Sequence, residues 1–200
     1  TGVAIFDYDN DGMMDVFLMN GTTLGGSSKA SSHLYRNRGK LQFEDVTERA
    51  GLRLTGWGQG VCVGDYDNDG DLDILLGGRS EKTGLTNSVV FRNDSGQFVG
   101  LPGLPELLQG SAAWGDYDND GRLDVLLTGY GPGSQTPITL LYRNSGGGGF
   151  TLVDAPLPGG RGTAWPWGDY DGDLDVDLLV AGDATQLVRN NAVRRNTRPT

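Results

Sequence analysis

Short apolar runs alternate with dense clusters of Asp, Asn and Gly along the chain. Helical periodicity is nearly absent, and residues 47–51 leave room for one turn at most. The apolar runs recur in sets. A first run precedes each acidic cluster: Val3–Phe6, Val61–Gly64, Ala112–Gly115 and Trp165–Gly168. A second follows it: Val16–Met19, Ile74–Leu76, Val125–Leu127 and Leu178–Ala181. A third ends in an aromatic residue or Val and then Arg-Asn, at Tyr35-Arg36-Asn37, Phe91-Arg92-Asn93, Tyr142-Arg143-Asn144 and Val188-Arg189-Asn190. In three sets a Gly-containing turn leads to a fourth run, at Phe43–Val46, Phe98–Val99 and Phe150–Val153. Each set predicts four short strands joined by turns.

The acidic clusters begin at Asp7, Asp65, Asp116 and Asp169, in steps of 58, 51 and 53 residues. Four strands per repeat of this length predict an all-β fold, a β-propeller of four-stranded antiparallel blades, with four blades in this chain. The blades fall near 2–56, 57–109, 110–160 and 161–200 as one repeat domain. A sandwich with acidic hairpins is the competing architecture, but it need not repeat its turn chemistry at this period.

Charge sharpens the picture. The chain of 200 residues carries 26 acidic and 16 basic side chains, a net charge of −10. Eighteen of the acids lie in the four clusters, which leaves the rest of the chain net +8. The protein reads as a mildly basic scaffold bearing four anionic loops. That balance argues against nucleic-acid backbone binding, so no nucleic-acid partner is expected, and no apolar stretch approaches the ~20 residues of a membrane span. One Cys excludes an intramolecular disulfide, and one His excludes most His-dependent catalysis. No nucleophile–base pair recurs, so no enzyme is expected.

In the second loop, Asp65, Asp67, Asp69 and Asp73 stand at positions 1, 3, 5 and 9, with Gly70 at position 6. Ionised carboxylates ~4 Å apart repel by roughly 4 kcal/mol per pair at an effective dielectric of 20. Four such clusters call for a cation. All-oxygen ligands select a hard ion, and many oxygens on a flexible loop favour Ca²⁺ over Mg²⁺. An EF-hand would need Glu at position 12, where this chain has Leu18, Leu76, Leu127 and Val180.

These loops resemble the calcium loops of FG-GAP/VCBS-type β-propellers, the repeat also found in integrin α-subunit heads. The segments His33-Leu34-Tyr35-Arg36-Asn37, Phe43-Glu44-Asp45-Val46-Thr47 and Gly64-Asp65-Tyr66-Asp67 are similar to bacterial ASPIC/UnbV and cartilage-acidic-protein-like members. The resemblance covers essentially the whole chain. It implies up to four Ca²⁺ ions, one per blade. The side-chain ligands it implies are Asp7, Asp9, Asp11 and Asp15; Asp65, Asp67, Asp69 and Asp73; Asp116, Asp118, Asp120 and Asp124; and Asp169, Asp171, Asp173 and Asp177. The carbonyl ligands it implies are Met13, Asp71, Arg122 and Asp175. Loop four departs from the pattern, with Gly172 at position 4 and Leu174 at position 6, and its site is expected to be the weakest.

The function expected is a calcium-stabilised extracellular or cell-surface module for structure, adhesion or scaffolding, including self-assembly into a fibre or surface layer. A calcium-dependent, lectin-like propeller is the alternative. The partners expected are a homo-oligomer or filament, or a protein or glycan ligand. Four blades can close alone or form part of a larger ring. The short start before the first strand and the end at Ala192-Val193-Arg194-Arg195 suggest a processed piece, or subunits that complete each other's blades. Trp57, Trp114, Trp165 and Trp167 are expected between blades rather than on sugar. The Tyr at loop position 2 (Tyr8, Tyr66, Tyr117, Tyr170) is expected to pack on a neighbouring blade, and the Arg-Asn pairs to anchor turns. Cys62 is expected as a packing thiol. His33, beside Ser31 and Ser32, is not expected to be catalytic. Asn20 and Asn93 match the glycan acceptor pattern.

Overall fold

The computed structural model describes residues 2–19, 31–80, 86–105, 107–159, 167–180 and 186–188. They form four antiparallel sheets, each a meander in chain order. The first contains β1 (Gly2–Phe6), β2 (Asp15–Met19), β3 (His33–Asn37) and β4 (Phe43–Asp45). The second contains β5 (Gly56–Gly64), β6 (Asp73–Ser80), β7 (Thr86–Asp94) and β8 (Gln97–Leu101). The third contains β9 (Leu108–Gly115), β10 (Asp124–Tyr130), β11 (Pro137–Asn144) and β12 (Phe150–Val153). The fourth has three strands among the described residues: β13 (Trp167–Gly168), β14 (Asp177–Val180) and β15 (Gln186–Val188). Among the described residues there is no helix, and residues 47–51 form a turn. Among the described residues no helix is long and apolar enough to cross a membrane.

Alternation along the strands sets the packing. In β2, Asp15, Phe17 and Met19 point inward. In β1, Ala4 and Phe6 are buried while Val3 and Ile5 are exposed. The inner strands of sheets two and three are covered on both faces, so they read as continuous apolar runs. Ile74 and Leu76 join a core with Phe6, Phe17 and Leu34 of sheet one. Leu75, between them, joins Val125 and Leu127 of sheet three. Leu126 in turn packs with Leu178 of sheet four. The period of 2 therefore sends neighbouring residues to different cores, and each sheet shares a core with the next.

Trp114 and Trp167 close these layers. A Cβ on Gly64 would lie 2.6 Å from Leu123 Cδ1 and 3.3 Å from the Trp114 ring, and one on Gly115 would lie 2.5 Å from the Trp167 ring. The glycine before the acidic loop thus gives the next sheet's indole room to lie against the strand. Tyr8 stacks on Phe98 of sheet two, with centroids 6.4 Å apart. Tyr66 stacks on Trp114 and meets Phe150, both in sheet three. Tyr117 packs in the core shared by sheets three and four. Tyr170 departs from the expectation: it is 64 % exposed, and no fifth sheet follows it among the described residues. Cys62 is half-buried, and its thiol donates to the Ala112 carbonyl across the sheet interface. Burial pushes that thiol up, which keeps it protonated and inert.

Candidate metal centres

Every acidic loop links the first strand of a sheet to the second. In each, position 1 accepts two backbone N–H groups and thereby folds the turn. Asp7 takes Asp11 N at 3.1 Å and Gly12 N at 2.7 Å. Asp65 takes Asp69 N and Gly70 N, and Asp116 takes Asp120 N and Gly121 N. Position 5 accepts the N–H of position 7, as from Met13 to Asp11 and from Asp71 to Asp69. The turn needs left-handed backbone twice. Position 4 has φ of 55°, 61° and 54° at Asn10, Asn68 and Asn119, and position 6 has φ of 86°, 96° and 86° at Gly12, Gly70 and Gly121.

Position 9 is the buried keystone. Asp15, Asp73 and Asp124 are fully buried at the start of the second strand, and Asp177 is nearly so. One oxygen accepts the N–H of the position-2 Tyr, at 3.0 Å for Tyr8 and 2.9 Å for Tyr66. The other accepts the backbone N–H of the Asn in the Arg-Asn pair, at 2.7 Å for Asn37 and 2.8 Å for Asn93 and Asn144. Burial pushes the Asp73 carboxyl up to about 7 and the Asp124 carboxyl up to about 6. It also raises Asp67 and Asp118.

Positions 1, 3 and 9 converge in all four loops. Asp7, Asp9 and Asp15 each offer an oxygen within 4.8 Å of the others, as do Asp65, Asp67 and Asp73; Asp116, Asp118 and Asp124; and Asp169, Asp171 and Asp177. Position 5 (Asp11, Asp69, Asp120, Asp173) lies outside these groups. Among the position-7 residues, Met13 and Arg122 have no carboxylate, while Asp71 accepts from Asn10 and Ser95, and Asp175 from Asn119. At position 3, one oxygen of Asp9, of Asp67 and of Asp118 is buried with no hydrogen-bond partner. A buried carboxylate oxygen without a donor is costly, and three stand at the same place in three loops. A hard cation fits the all-carboxylate donor set.

The Arg-Asn pairs divide the labour. Asn anchors the turn, as expected, while Arg36 reaches Asp9 and Asp11, and Arg143 reaches Asp118 and Asp120. The Arg36 hydrogen bond holds Asp11 below the usual carboxylate range. Arg92 pairs instead with Asp94 and acts on Asp67 only through its field.

Loop four keeps the frame with altered backbone. Gly172 N and Leu174 N both donate to Asp169. Leu174 adopts φ of 71° and is 67 % exposed. Its left-handed conformation costs roughly 1–2 kcal/mol and no burial offsets it. Leu174→Gly is expected to tighten cation binding at this loop about fivefold to thirtyfold, measured by titration of the Tyr170 environment; an unchanged or weaker affinity would refute the strain argument.

Asn93 does not serve as a glycan acceptor in the folded chain. Its side chain is fully buried, donates to the carbonyls of Tyr8 and Leu72, and accepts from Gly96. Ser31, His33 and Asp45 line a cavity of about 360 Å³ with Thr47, Arg49 and Arg53. His33 Nδ1 lies 2.9 Å from Asp45, and Nε2 lies 3.5 Å from Ser31 Oγ. The Ser32 N–H is engaged by the Leu54 carbonyl, and Thr47 holds the other Asp45 oxygen. This arrangement staples β3 to the following turn. Asn20, Trp165, Ala181, Arg189, Asn190 and residues 192–195 lie outside the described residues, as does the Trp57 side chain.

A role for position 4 escaped the sequence reading. Its signal was the recurrence of Asn10, Asn68 and Asn119, broken by Gly172. Asn10 donates to Asp71 at 2.7 Å and to the Gly70 carbonyl at 3.3 Å. Asn68 donates to the Gly121 carbonyl, and Asn119 to the Leu174 carbonyl and Asp175. Each Asn therefore holds the next loop rather than its own.

The repeated antiparallel sheets, each with an acidic turn between its first two strands, define a repeat protein with candidate metal-binding loops, and the matching family model is that of the FG-GAP-like repeat, over residues 7–76 and 116–180. The chain belongs to that family. It is 26 % identical to cartilage acidic protein 1 of Xenopus tropicalis over 193 residues, and 25 % identical to the proteins of that name from Homo sapiens and Mus musculus. Each match covers 90 % of this chain and 28 % of the relative.

Proposed function

We propose that this chain is a calcium-stabilised, non-enzymatic module of an extracellular or cell-surface protein, its four sheets serving as blades of a β-propeller in a structural or adhesive role. The observation that carries the reading is the recurrence of a partnerless buried oxygen at Asp9, Asp67 and Asp118, each inside a converging carboxylate group. Residues at positions 1, 3 and 9 would hold the ion, with position 5 and the position-7 carbonyl completing the shell. The ion supplies charge neutralisation. The chain supplies the fold of the turn, through position 1, and a rigid attachment to the second strand, through position 9.

Membership of the FG-GAP-like family supports an adhesive or matrix role, and so does similarity to proteins named for cartilage, a tissue rich in extracellular matrix. Calcium outside the cell is plentiful enough for weak sites. Trp114 and Trp167 lie between sheets, so a glycan-binding platform would have to come from other residues.

Equilibrium dialysis against calcium tests the reading. Four bound ions per chain are expected, with three bound more tightly than the fourth. Fewer than two bound at millimolar calcium would reject it.

A further inference from the structure

A hydrogen-bonded path runs without a break through three of the loops. Asp15 accepts Tyr8 N–H, and the Tyr8 carbonyl accepts the Asn93 side-chain amide. Asn93 N–H donates to Asp73, which also accepts Tyr66 N–H. The Tyr66 carbonyl accepts the Asn144 side-chain amide, Asn144 N–H donates to Asp124, and Asp124 accepts Tyr117 N–H. The buried position-9 carboxylates of loops one, two and three are therefore joined through one Tyr and one Asn at each step. A second path lies nearer the surface, from Asn10 to Asp71 and the Gly70 carbonyl, from Asn68 to the Gly121 carbonyl, and from Asn119 to Asp175 and the Leu174 carbonyl. It passes in one direction, from each loop to the next. At loop four, Gly172 has no amide to hand on.

We propose that the four loops bind cations as a coupled row, in which ordering one loop pre-forms the next through the position-4 Asn and, between loops one to three, the buried Asn of the Arg-Asn pair. The proposal rests on the cation reading given above. Its physical basis is the formation of each loop as a local two-state event. A loop is competent only when its turn is closed, with position 4 in left-handed backbone and position 9 held by its two N–H donors. A cation in loop one holds that turn closed, which keeps Asn10 on Asp71 and the Tyr8 carbonyl under Asn93. Part of the ordering that loop two needs is then already done when its own ion arrives. Coupling of this kind is reciprocal, so loop two strengthens loop one by the same factor. Asn10, Asn68, Asn119, Asn93 and Asn144 are positioning residues, since each acts on an ion only through a neighbouring turn.

Asn10→Gly separates this from ordinary stabilisation. Asn10 is exposed, its φ of 55° suits glycine, and Gly172 holds the same position in loop four. The glycines at position 6 give each of the first three loops its own reporter, because Gly12, Gly70 and Gly121 amides bond to their loop's first Asp. In a calcium titration followed by ¹H–¹⁵N spectra, the Gly70 midpoint of Asn10→Gly is expected to rise about threefold to tenfold, the worth of one to two hydrogen bonds. The Gly12 midpoint is expected to rise by a similar factor, because the coupling is reciprocal, while the Gly121 midpoint, in a loop that Asn10 does not touch, is expected to move less. Asp67→Asn, which removes a loop-two ligand, is expected to raise the Gly12 and Gly121 midpoints. The coupling is overturned if the Gly70 midpoint of Asn10→Gly equals that of the unsubstituted chain, or if all three midpoints shift alike. Glycine amides that ignore calcium altogether in the unsubstituted chain would overturn the cation reading, a different result from midpoints that move independently.

Discussion

Removal of calcium is expected to lower the melting temperature of this protein by on the order of 15 °C or more. At a free ion concentration 100 times Kd, each occupied site contributes ~2.7 kcal/mol to the folded state. Three well-formed sites together contribute roughly 8 kcal/mol, within the ~5–15 kcal/mol that is a domain's whole stability. For a chain of this size 1 kcal/mol corresponds to about 2–4 °C. The effect is large because the loops are structural. Their position-9 carboxylates are fully buried at Asp15, Asp73 and Asp124, and without an ion the converging oxygens repel. Differential scanning calorimetry in calcium and in excess chelator measures the shift. Coincident transitions in the two conditions would remove both the proposed role of the ions and the argument for an extracellular setting.

Asn93→Ala is the second large effect, a loss of about 3–5 kcal/mol. The alanine strands three backbone groups at once: the Tyr8 and Leu72 carbonyls lose their donor, and Gly96 N–H loses its acceptor. The site is fully buried, so water cannot replace those bonds, and each unsatisfied group costs ~1–3 kcal/mol. Asn37 is the internal control. It occupies the same place in sheet one, bonds to Met14 O and Gly39 N, and keeps solvent contact. Asn37→Ala is expected to cost about 1–2 kcal/mol. Urea unfolding of the two variants in saturating calcium gives the comparison. Equal losses would show that the link between sheets carries no energy of its own.

Much of the site was legible because its chemistry is local. The spacing of Asp7, Asp9, Asp11 and Asp15 lies within one turn, and Gly12 at a φ of 86° does what a glycine at position 6 must do. Leu174, at the same place in loop four, was readable as a left-handed leucine for the same reason. The division among the carboxylates was not legible. Alternation put positions 1, 3, 5 and 9 on equal terms, yet positions 1, 3 and 9 converge, and Arg36 and Arg143 pair with both position 3 and position 5 of their loops. Those arginines lie more than twenty residues further along the chain than the carboxylates they touch. The fate of the Asn93 acceptor pattern was not legible either, because a tripeptide carries no information about burial.

From its residues alone, this protein's repeat, its strand-and-turn composition, its all-β class and its four anionic turns could be derived, since alternation and turn chemistry depend on neighbours within a few positions. Tertiary structure decided which face each strand residue serves, why Gly64 and Gly115 lie under the next sheet's Trp114 and Trp167, and which Asn holds which loop. Those contacts join residues from one repeat to the next, such as Asn93 to Tyr8 and Asn144 to Tyr66. Repetition along a chain does not reveal which copy a side chain will reach. The stacking of one sheet on another does, because it sets the only distance at which a short amide can bridge two backbones.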